Sequence, residues 1–175
     1  MCVIVDTNCI ASVFDTNSSK HSEFKPVLDW IVDGKGKLIY GGTKYLQELS
    51  KAGKYLKLIN LLNSRGKKVI VVDKDKVDQE QARIENLIKD KDFDDPHLPA
   101  IAIVAKCMLI CSEDSRSVKF VTNTDIYPKE IVVPKYYMGL RNKRLLSDKY
   151  IDDTYKPLTK CNKGVRELIN RQLNL

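Results

Sequence analysis

The chain begins with MCVIVDTN (residues 1–8), a short apolar run that ends in an acid, a hydroxyl and an amide. Residues 2–5 are too few for a helix and are rich in β-branched side chains, so they predict a strand buried on both faces, as in parallel sheets. Asp6 then lies at the carboxyl end of the strand, where open α/β sheets bind their ligands. Taken alone, Asp6 is better explained as the cap of a helix over residues 10–14, because Asp, Thr and Asn are all good caps.

Length and composition indicate one globular domain. A chain of 175 residues can bury a core without disulfide or metal support. No apolar run is long enough to span a bilayer, and residues 1–6 lack the pattern of a signal peptide, so we expect a cytoplasmic protein with no membrane partner. Most of the five cysteines lie in apolar runs, which predicts buried, reduced thiols. Cys107 and Cys111 have the wrong spacing for a structural zinc site.

Strand and helix patterns alternate along the chain. Apolar residues at helical spacing predict helices over residues 24–32, 45–49, 55–62, 77–88, 100–105 and 165–173. Short apolar runs bounded by turn residues predict strands over residues 38–40, 67–72 and 108–111, with 118–121 or 131–133 as the last strand. This alternation predicts an α/β fold in which helices cover both faces of a mainly parallel sheet.

Four acids occupy equivalent positions in this layout. Asp6 follows the first strand, and Asp114 follows the strand over residues 108–111. Glu48 lies in the helix after the second strand, and Asp95 begins the helix that is rich in small residues. Because the carboxyl ends of parallel strands meet at one edge of the sheet, we expect the four carboxylates to gather there.

A cluster of this kind calls for a cation. Carboxylates a few Å apart repel one another, and one of them would otherwise take up a proton. Oxygen ligands without paired His or Cys favour Mg²⁺ or Mn²⁺ over zinc. Two such ions about 3.5–4 Å apart can activate a water and stabilise the leaving oxygen of a phosphodiester. The acids therefore predict metal-assisted phosphodiester hydrolysis.

Each acid also has an ordinary structural explanation. Asp95 precedes Pro96, and Asp followed by Pro is a common way to start a helix. Glu48 fits an exposed helix residue, and Asp114 fits a turn residue among serines. Judged singly, each acid is better explained in these ways. The four acids together, at equivalent positions, favour the metal site instead.

Four ordered motifs resemble the PIN domain (PilT N-terminus-like) nucleases. They are VDTN at the start of the chain, Glu48 in YLQELSK, Asp95 and His97 in FDDPHLPAIAIVA, and a hydroxyl two residues before Asp114 in ICSEDSR. The resemblance covers residues 1–134 and implies a nuclease domain with a three-layer α/β/α sandwich. It also implies Mg²⁺- or Mn²⁺-dependent endoribonuclease activity, and many bacterial members of that family are toxins of the VapC type.

The resemblance implies roles for individual side chains. The catalytic, metal-binding acids are Asp6, Glu48, Asp95 and Asp114, and the supporting polar groups are Asn8, Ser112 and Asp94. Glu113 stands where the family commonly has Asn or Asp, which leaves open whether it joins the site. Alignment on His97 favours Asp95 over its neighbour Asp94 as the third acid. His97 itself is better explained as a packing residue than as a phosphate contact or an acid.

Beyond the resemblance, residues 135–175 form a basic extension that we expect to dock on the domain. This segment holds most of the net charge of +7. Its cations are mixed with aromatic residues, which is typical of single-stranded RNA binding, and the candidate RNA-binding residues are Lys135, Arg141, Lys143 and Arg144. Its leucines and Ile151 fit docking on the core equally well, and the helix over 165–173 fits packing on the core or on a partner.

The leading hypothesis is an endoribonuclease that cleaves single-stranded or structured RNA, with an antitoxin or another protein, or a second copy of the chain, as further partners. The alternative is a catalytically inactive PIN-like module that binds RNA or protein, which the presence of all four acids disfavours. A haloacid-dehalogenase-like phosphatase needs an Asp where this chain has Asn8. RNase H-like nucleases carry their first acid in an antiparallel hairpin, whereas a helix is predicted after Asp6.

Overall fold

The computed structural model describes residues 2–147, 155 and 158–173. Its strands are β1 (Cys2–Val5), β2 (Lys37–Tyr40), β3 (Val69–Val71), β4 (Leu109–Cys111) and β5 (Lys135–Tyr137). They form one sheet in the order β3-β2-β1-β4-β5, and all neighbouring pairs are parallel. The predicted α/β class, with helices around a parallel sheet as in a three-layer sandwich, is confirmed.

Helices connect every pair of consecutive strands. In the described part of the chain the α-helices are α1 (Ile10–Phe14), α2 (His21–Val32), α3 (Thr43–Lys51), α4 (Gly53–Ser64), α5 (Lys74–Leu87), α6 (His97–Ala105), α7 (Val118–Val121) and α8 (Lys163–Leu173). Short 3₁₀ helices span Thr7–Cys9, Thr124–Ile126 and Leu140–Leu145. The predicted helices all form, and several begin a few residues earlier than their apolar stripes.

Both faces of the sheet are covered. Successive side chains of a strand point to opposite faces, and every residue of β1 and β4 is buried. Crossovers between parallel strands are almost always right-handed, which predicts that the helices between β1, β2 and β3 cover one face and those between β3 and β4 cover the other. Within these layers α1 packs on α2, α5 packs on α6, and α6 packs directly on β1, β2 and β4. Alanines at positions 100, 102 and 105 of α6 are fully buried, which allows this close approach.

The strand order reverses between β1 and β4. The chain runs outward from β1 to β2 and β3, and then returns to place β4 on the other side of β1. Val5 pairs with Cys111, and the backbone N–H of Asp6 donates to the carbonyl of Cys111 at 2.9 Å. Asp6 and Ser112 therefore leave the sheet side by side. In open α/β sheets this reversal creates the crevice in which ligands bind.

The last strand differs from the sequence prediction. Residues 118–121 form the short helix α7, and residues 131–133 form no strand. The fifth strand is Lys135–Tyr137, which begins directly after Pro134, so the sheet continues past the boundary that we expected at residue 134. The two tyrosines of this strand are buried and supply the apolar surface that the preceding valines were expected to supply. Segments of three or four residues carry too little pattern to decide between such neighbours.

The C-terminal segment packs on the core where it is described. Helix α8 lies against α4 and buries Val165, Ile169 and Leu173, so this helix docks on the domain itself. Leu145 and Leu146 are partly buried against the core, whereas Ile151 lies outside the described residues. All five cysteines are buried and free, as predicted. Among the described residues, no helix has the length and apolar character that crossing a membrane requires.

Candidate metal centre

Asp6 is the most buried acid of the site. Its side chain is 2% exposed and sits at the carboxyl end of β1. Ser112 Oγ donates to its Oδ2 at 2.7 Å, and the backbone N–H of Asn8 donates to its Oδ1 at 3.3 Å. Burial raises the pKa of Asp6, while the hydrogen bonds from Ser112 and Asn8 act in the opposite direction. Asp6 therefore caps the first 3₁₀ turn and also presents a buried carboxylate at the strand reversal.

Glu48 reaches the same edge from helix α3. Thr7 Oγ1 donates to its Oε2 at 2.7 Å, and Lys44 Nζ lies 3.2 Å from its Oε1. His97 Nε2 lies 3.6 Å from Oε2. Burial alone would raise the pKa of Glu48, but Thr7, His97 and Lys44 together lower it. Glu48 is thus an ionised, oriented carboxylate and not the freely solvated helix residue that its sequence position first suggested.

Asp95 directly precedes the first turn of α6. Pro96 already has helical backbone angles, and the carbonyl of Asp95 accepts a hydrogen bond from the N–H of Leu98 at 3.1 Å, so Asp95 starts the helix as its position before Pro96 predicts. Its carboxyl group makes a separate contribution to the site. Burial raises the pKa of Asp95 to about 7, with further contributions from the negative charges of Asp6, Asp94, Glu48 and Asp114. The negative charge of every other acid proposed for the site therefore raises the pKa of Asp95.

Asp114 follows β4 and is the last acid of the cluster along the chain. Its backbone N–H donates to Ser112 Oγ at 3.1 Å, so one serine supports two of the acids. Arg116 binds its carboxylate with Nε at 3.1 Å and Nη2 at 3.0 Å, and this pairing lowers the pKa of Asp114. Oxygens of Asp94, Asp95 and Asp114 lie within 4.8 Å of one another, an arrangement that can hold a metal ion. Of the four acids predicted to gather, Asp95 and Asp114 belong to this group, whereas Asp6 and Glu48 lie outside it.

The sequence did not decide whether Asp94 and Glu113 join the site, and the structure places these two acids apart. Asp94 belongs to the group of three carboxylates and is exposed. Glu113 turns away, accepts a hydrogen bond from Ser12 Oγ and pairs with Lys20 Nζ at 2.5 Å. The contacts of Glu113 thus lie with the end of α1 and the start of α2, away from the acid cluster.

His97 is fully buried beside Glu48. Neither ring nitrogen has a hydrogen-bond partner among the described residues. Its ring meets that of Tyr45 edge-on, with centroids 6.2 Å apart, and Tyr45 donates its hydroxyl to the carbonyl of Val5 at 2.5 Å. Burial lowers the pKa of His97 to about 4, against the opposing effect of Glu48, so the imidazole is neutral at pH 7.

Two of the four predicted RNA-binding residues line a pocket that lies away from the acids. Lys135 is the first residue of β5, and Arg141, Lys143 and Arg144 lie in the 3₁₀ helix Leu140–Leu145. Lys135 and Arg144 line a pocket of about 770 Å³ that reaches the start of β4. In a parallel sheet the starts and ends of strands lie at opposite edges, so this pocket and the acids occupy opposite edges.

The sequence analysis did not predict two residues that contact the acids, Thr7 and Arg116. Thr7 lies in the VDTN motif, but only the tertiary structure brings its hydroxyl to Glu48, 41 positions along the chain. Arg116 stands two residues after Asp114, and this short spacing was the only signal in the sequence for the pairing. Asn8, which we expected to support the site, is exposed; its backbone N–H donates to Asp6, and a hydrogen bond from its side chain also lowers the pKa of Asp6.

The donor set fits a hard divalent cation. The clustered ligand atoms are carboxylate oxygens, which Mg²⁺ and Mn²⁺ prefer, and no cysteine lies in the group of three acids. The pKa of Asp95 is raised first by burial and then by the neighbouring negative charges, and a bound cation would counteract the second effect. No family model, curated protein or solved structure matches this chain.

Proposed function

We propose that this protein is a metal-dependent endoribonuclease that hydrolyses phosphodiester bonds of RNA with Mg²⁺ or Mn²⁺. The observation that carries the proposal is the group of Asp94, Asp95 and Asp114, whose carboxylate oxygens lie within 4.8 Å of one another, with Asp6 and Glu48 near enough for their charges to raise the pKa of Asp95. Residues that only cap helices or occupy turns have no reason to meet at one point. An antitoxin, another protein partner and a homodimer stay predictions from the family resemblance.

The side chains around the acids hold them in fixed orientations. Ser112 holds Asp6, Thr7 holds Glu48, and Arg116 holds Asp114. Groups fixed in this way need little rearrangement when charge develops in the transition state. When bound, Mg²⁺ or Mn²⁺ supplies a Lewis acid that polarises the phosphate and favours deprotonation of the attacking water. The carboxylates that would hold the ions are Asp6, Glu48, Asp94, Asp95 and Asp114.

Protonation of the Asp95 carboxyl group is coupled to the binding of a cation at the site. With a pKa of about 7, its carboxyl group holds a proton in part of the molecules at neutral pH. Binding of a cation requires the ionised carboxylate, so the proton leaves Asp95 as the site fills.

Exposed cations next to the acids support a polyanionic substrate. Arg116 pairs with Asp114, and Lys44 pairs with Glu48, and both cations are largely solvent-accessible. Either cation can exchange its carboxylate for a phosphate oxygen when the site is occupied. The net charge of +7 favours approach of RNA at low salt.

Cleavage of end-labelled single-stranded RNA and DNA tests the proposal. Wild type is compared with Asp6→Asn and Asp114→Asn in Mn²⁺ or Mg²⁺ and in EDTA, with Asp75→Asn as a control at an exposed acid outside the site. We expect cleavage of RNA by wild type and by the control with metal, and a loss of about a hundredfold or more in the two site variants, as when a charged group at the reacting atoms is removed.

Two outcomes contradict the proposal in different ways. Cleavage that is unaffected by EDTA would exclude a role for the metal. RNA that is bound tightly but never cut would favour the inactive RNA-binding module. Circular dichroism of each variant shows whether the fold is intact.

A further inference from the structure

His97 has an environment that ordinary packing does not explain. Its side chain is completely buried, and both ring nitrogens lack a hydrogen-bond partner among the described residues. Buried polar groups in proteins are almost always hydrogen-bonded, because leaving one unpaired costs about 1–3 kcal/mol. A histidine that served only to fill space here would be replaced with advantage by an apolar residue. The position of the ring beside Glu48 indicates another purpose.

We propose that His97 is a positioning residue for Glu48, an inference that rests on the metal centre of the proposed function. Its Nε2 lies 3.6 Å from Oε2 of Glu48, about 0.4 Å beyond the usual limit of an N–H···O hydrogen bond. The Nε2–H of the imidazole donates to Oε2 when Glu48 adjusts its position by this amount.

Thr7 and His97 then hold the same oxygen. Thr7 Oγ1 donates to Oε2 at 2.7 Å, and a carboxylate oxygen accepts two hydrogen bonds readily. The other oxygen, Oε1, is paired with Lys44 at 3.2 Å, and the Lys44 side chain is 48% exposed. Exposed pairs of this kind are weak, so Oε1 can exchange Lys44 for a cation while Oε2 stays fixed.

The ring of His97 contacts Glu48 and not the three clustered acids. The acids whose oxygens lie within 4.8 Å of one another are Asp94, Asp95 and Asp114, and both His97 and Glu48 lie outside that group. Glu48 is close enough for its negative charge to raise the pKa of Asp95, which belongs to the group. Glu48 has a carboxylate oxygen within 4 Å of the ring, 3.6 Å from Nε2. Its ring is also fixed from the side by the edge-on contact with Tyr45. His97 therefore acts on the cation through Glu48.

Titration of the full-length protein with Mn²⁺ by calorimetry tests the role. His97→Gln keeps an N–H near the position of Nε2, whereas His97→Leu removes it. We expect His97→Leu to bind Mn²⁺ about tenfold more weakly, as is typical when a partner of a metal ligand is removed, and His97→Gln to bind close to wild type. His21→Gln is the matched control, because that buried histidine contacts the carbonyl of Ser12 and lies outside the site.

A second measurement uses the metal-free protein. Nitrogen-15 spectra of the histidine rings show which nitrogen carries the proton, and the chain has only two histidines to assign. We expect the Nε2–H form at His97 and an unfolding midpoint for His97→Leu that is no lower than that of wild type. An Nδ1–H ring would overturn the proposal.

The outcomes separate this role from the proposed function. Equal Mn²⁺ affinity of wild type and His97→Leu would overturn the role of His97 and leave the metal centre standing. Equal weakening by Leu and Gln, with lowered stability in both, would assign His97 to packing. A wild-type protein that binds no Mn²⁺ would overturn the metal centre and this role with it.

Discussion

Asp6 has both roles that the sequence analysis treated as alternatives, namely a cap of the following turn and a carboxylate of the candidate site. Its Oδ1 caps the turn at Asn8, and its Oδ2 is held by Ser112 from the neighbouring strand. A carboxylate has several acceptor sites, so one side chain serves both purposes. The same holds for Glu48, which is a surface-helix residue by position and a site residue by its contacts with Thr7 and His97.

The raised pKa of Asp95 predicts a pH-dependent stability in the metal-free protein. Its pKa is about 7 when folded and about 3.9 in an unfolded chain. Between these values only the folded state holds the proton, so the stabilisation from Asp95 is complete below about pH 4 and is lost as the pH rises through about 7. Asp95→Asn removes this dependence. Urea unfolding in EDTA from pH 4 to 8 measures the difference between wild type and variant.

The control for this experiment is Asp75→Asn, whose acid is exposed and lies outside the site. Its unfolding free energy should follow that of wild type at every pH. Curves for wild type and Asp95→Asn that stay parallel from pH 4 to 8 would contradict the assignment. Added Mn²⁺ should restore the stability that wild type loses near pH 7, because cation binding favours the ionised carboxylate.

At the scale of elements, the turns at strand ends decide where the site residues point. Gly42 begins α3, the helix that carries Glu48, with φ of 80° and ψ of 155°. This backbone region is almost restricted to glycine. A Cβ at Gly42 would also lie 2.5 Å from Cγ1 of Val77 in α5. The direction of α3 therefore depends on a single glycine that packs against the opposite helix.

Gly42→Ala should destabilise the protein by about 1–3 kcal/mol, the usual cost of forcing a side chain into this backbone region. Gly53→Ala is the matched control, since an added Cβ there meets no atom within 4 Å at the start of α4. Gly53→Ala should stabilise by about 0.4–1 kcal/mol through the lower entropy of the unfolded chain. Chemical denaturation measures both; similar effects of the two changes would contradict the assigned strain.

Helix α8 shows how the C-terminal segment is anchored. Ile169 is fully buried against the domain, whereas the adjacent Leu168 is 42% exposed. Ile169→Ala should cost about 2–5 kcal/mol in unfolding free energy, because it leaves a cavity in a packed region. Leu168→Ala on the same helix should change it by less than about 0.5 kcal/mol. Equal effects in urea denaturation would show that α8 does not pack as described.

At the scale of the whole molecule, the acids and the pocket lined by Lys135 and Arg144 lie at opposite ends of the strands. The carboxylates follow the ends of β1 and β4, and Lys135 and Arg144 line the pocket near the start of β4. A single strand of RNA that contacts both regions must therefore pass along the flank of the molecule. If the protein binds RNA as we propose, Lys135 and Arg144 would contribute to affinity, whereas Lys44 and Arg116 lie beside the acids.

Salt dependence of RNA binding tests this separation. Replacing Lys143 and Arg144 together by alanine should lower the slope of log affinity against log salt by about 0.7 for each phosphate that these side chains neutralise. The binding assay is done in Ca²⁺ or EDTA so that RNA stays intact. Lys76→Ala, at an exposed position of α5, should leave the slope unchanged. An unchanged slope in the double variant would mean that this segment does not contact the RNA.

The amino-acid sequence by itself determined the local features of this protein. Strand β1, the helix stripes and the positions of acids after strands were all visible, because alternation and helical spacing are short-range properties of the chain. The last strand was misplaced, since the segments around Pro134 are too short to distinguish by pattern. The fold class followed from the alternation, and the outline of the candidate site followed from the acids and the family resemblance.

Only the tertiary structure decided which polar groups meet. Glu113 pairs with Lys20, 93 positions away, and so leaves the acid cluster, while its neighbour Asp114 remains in it. The ring nitrogens of His97 are buried without a hydrogen-bond partner in the described part of the chain because α6 is packed tightly on the sheet, which no local pattern reveals. Contacts of this kind depend on strand order and on the reversal between β1 and β4. That reversal brings residues from distant parts of the chain to one edge of the sheet.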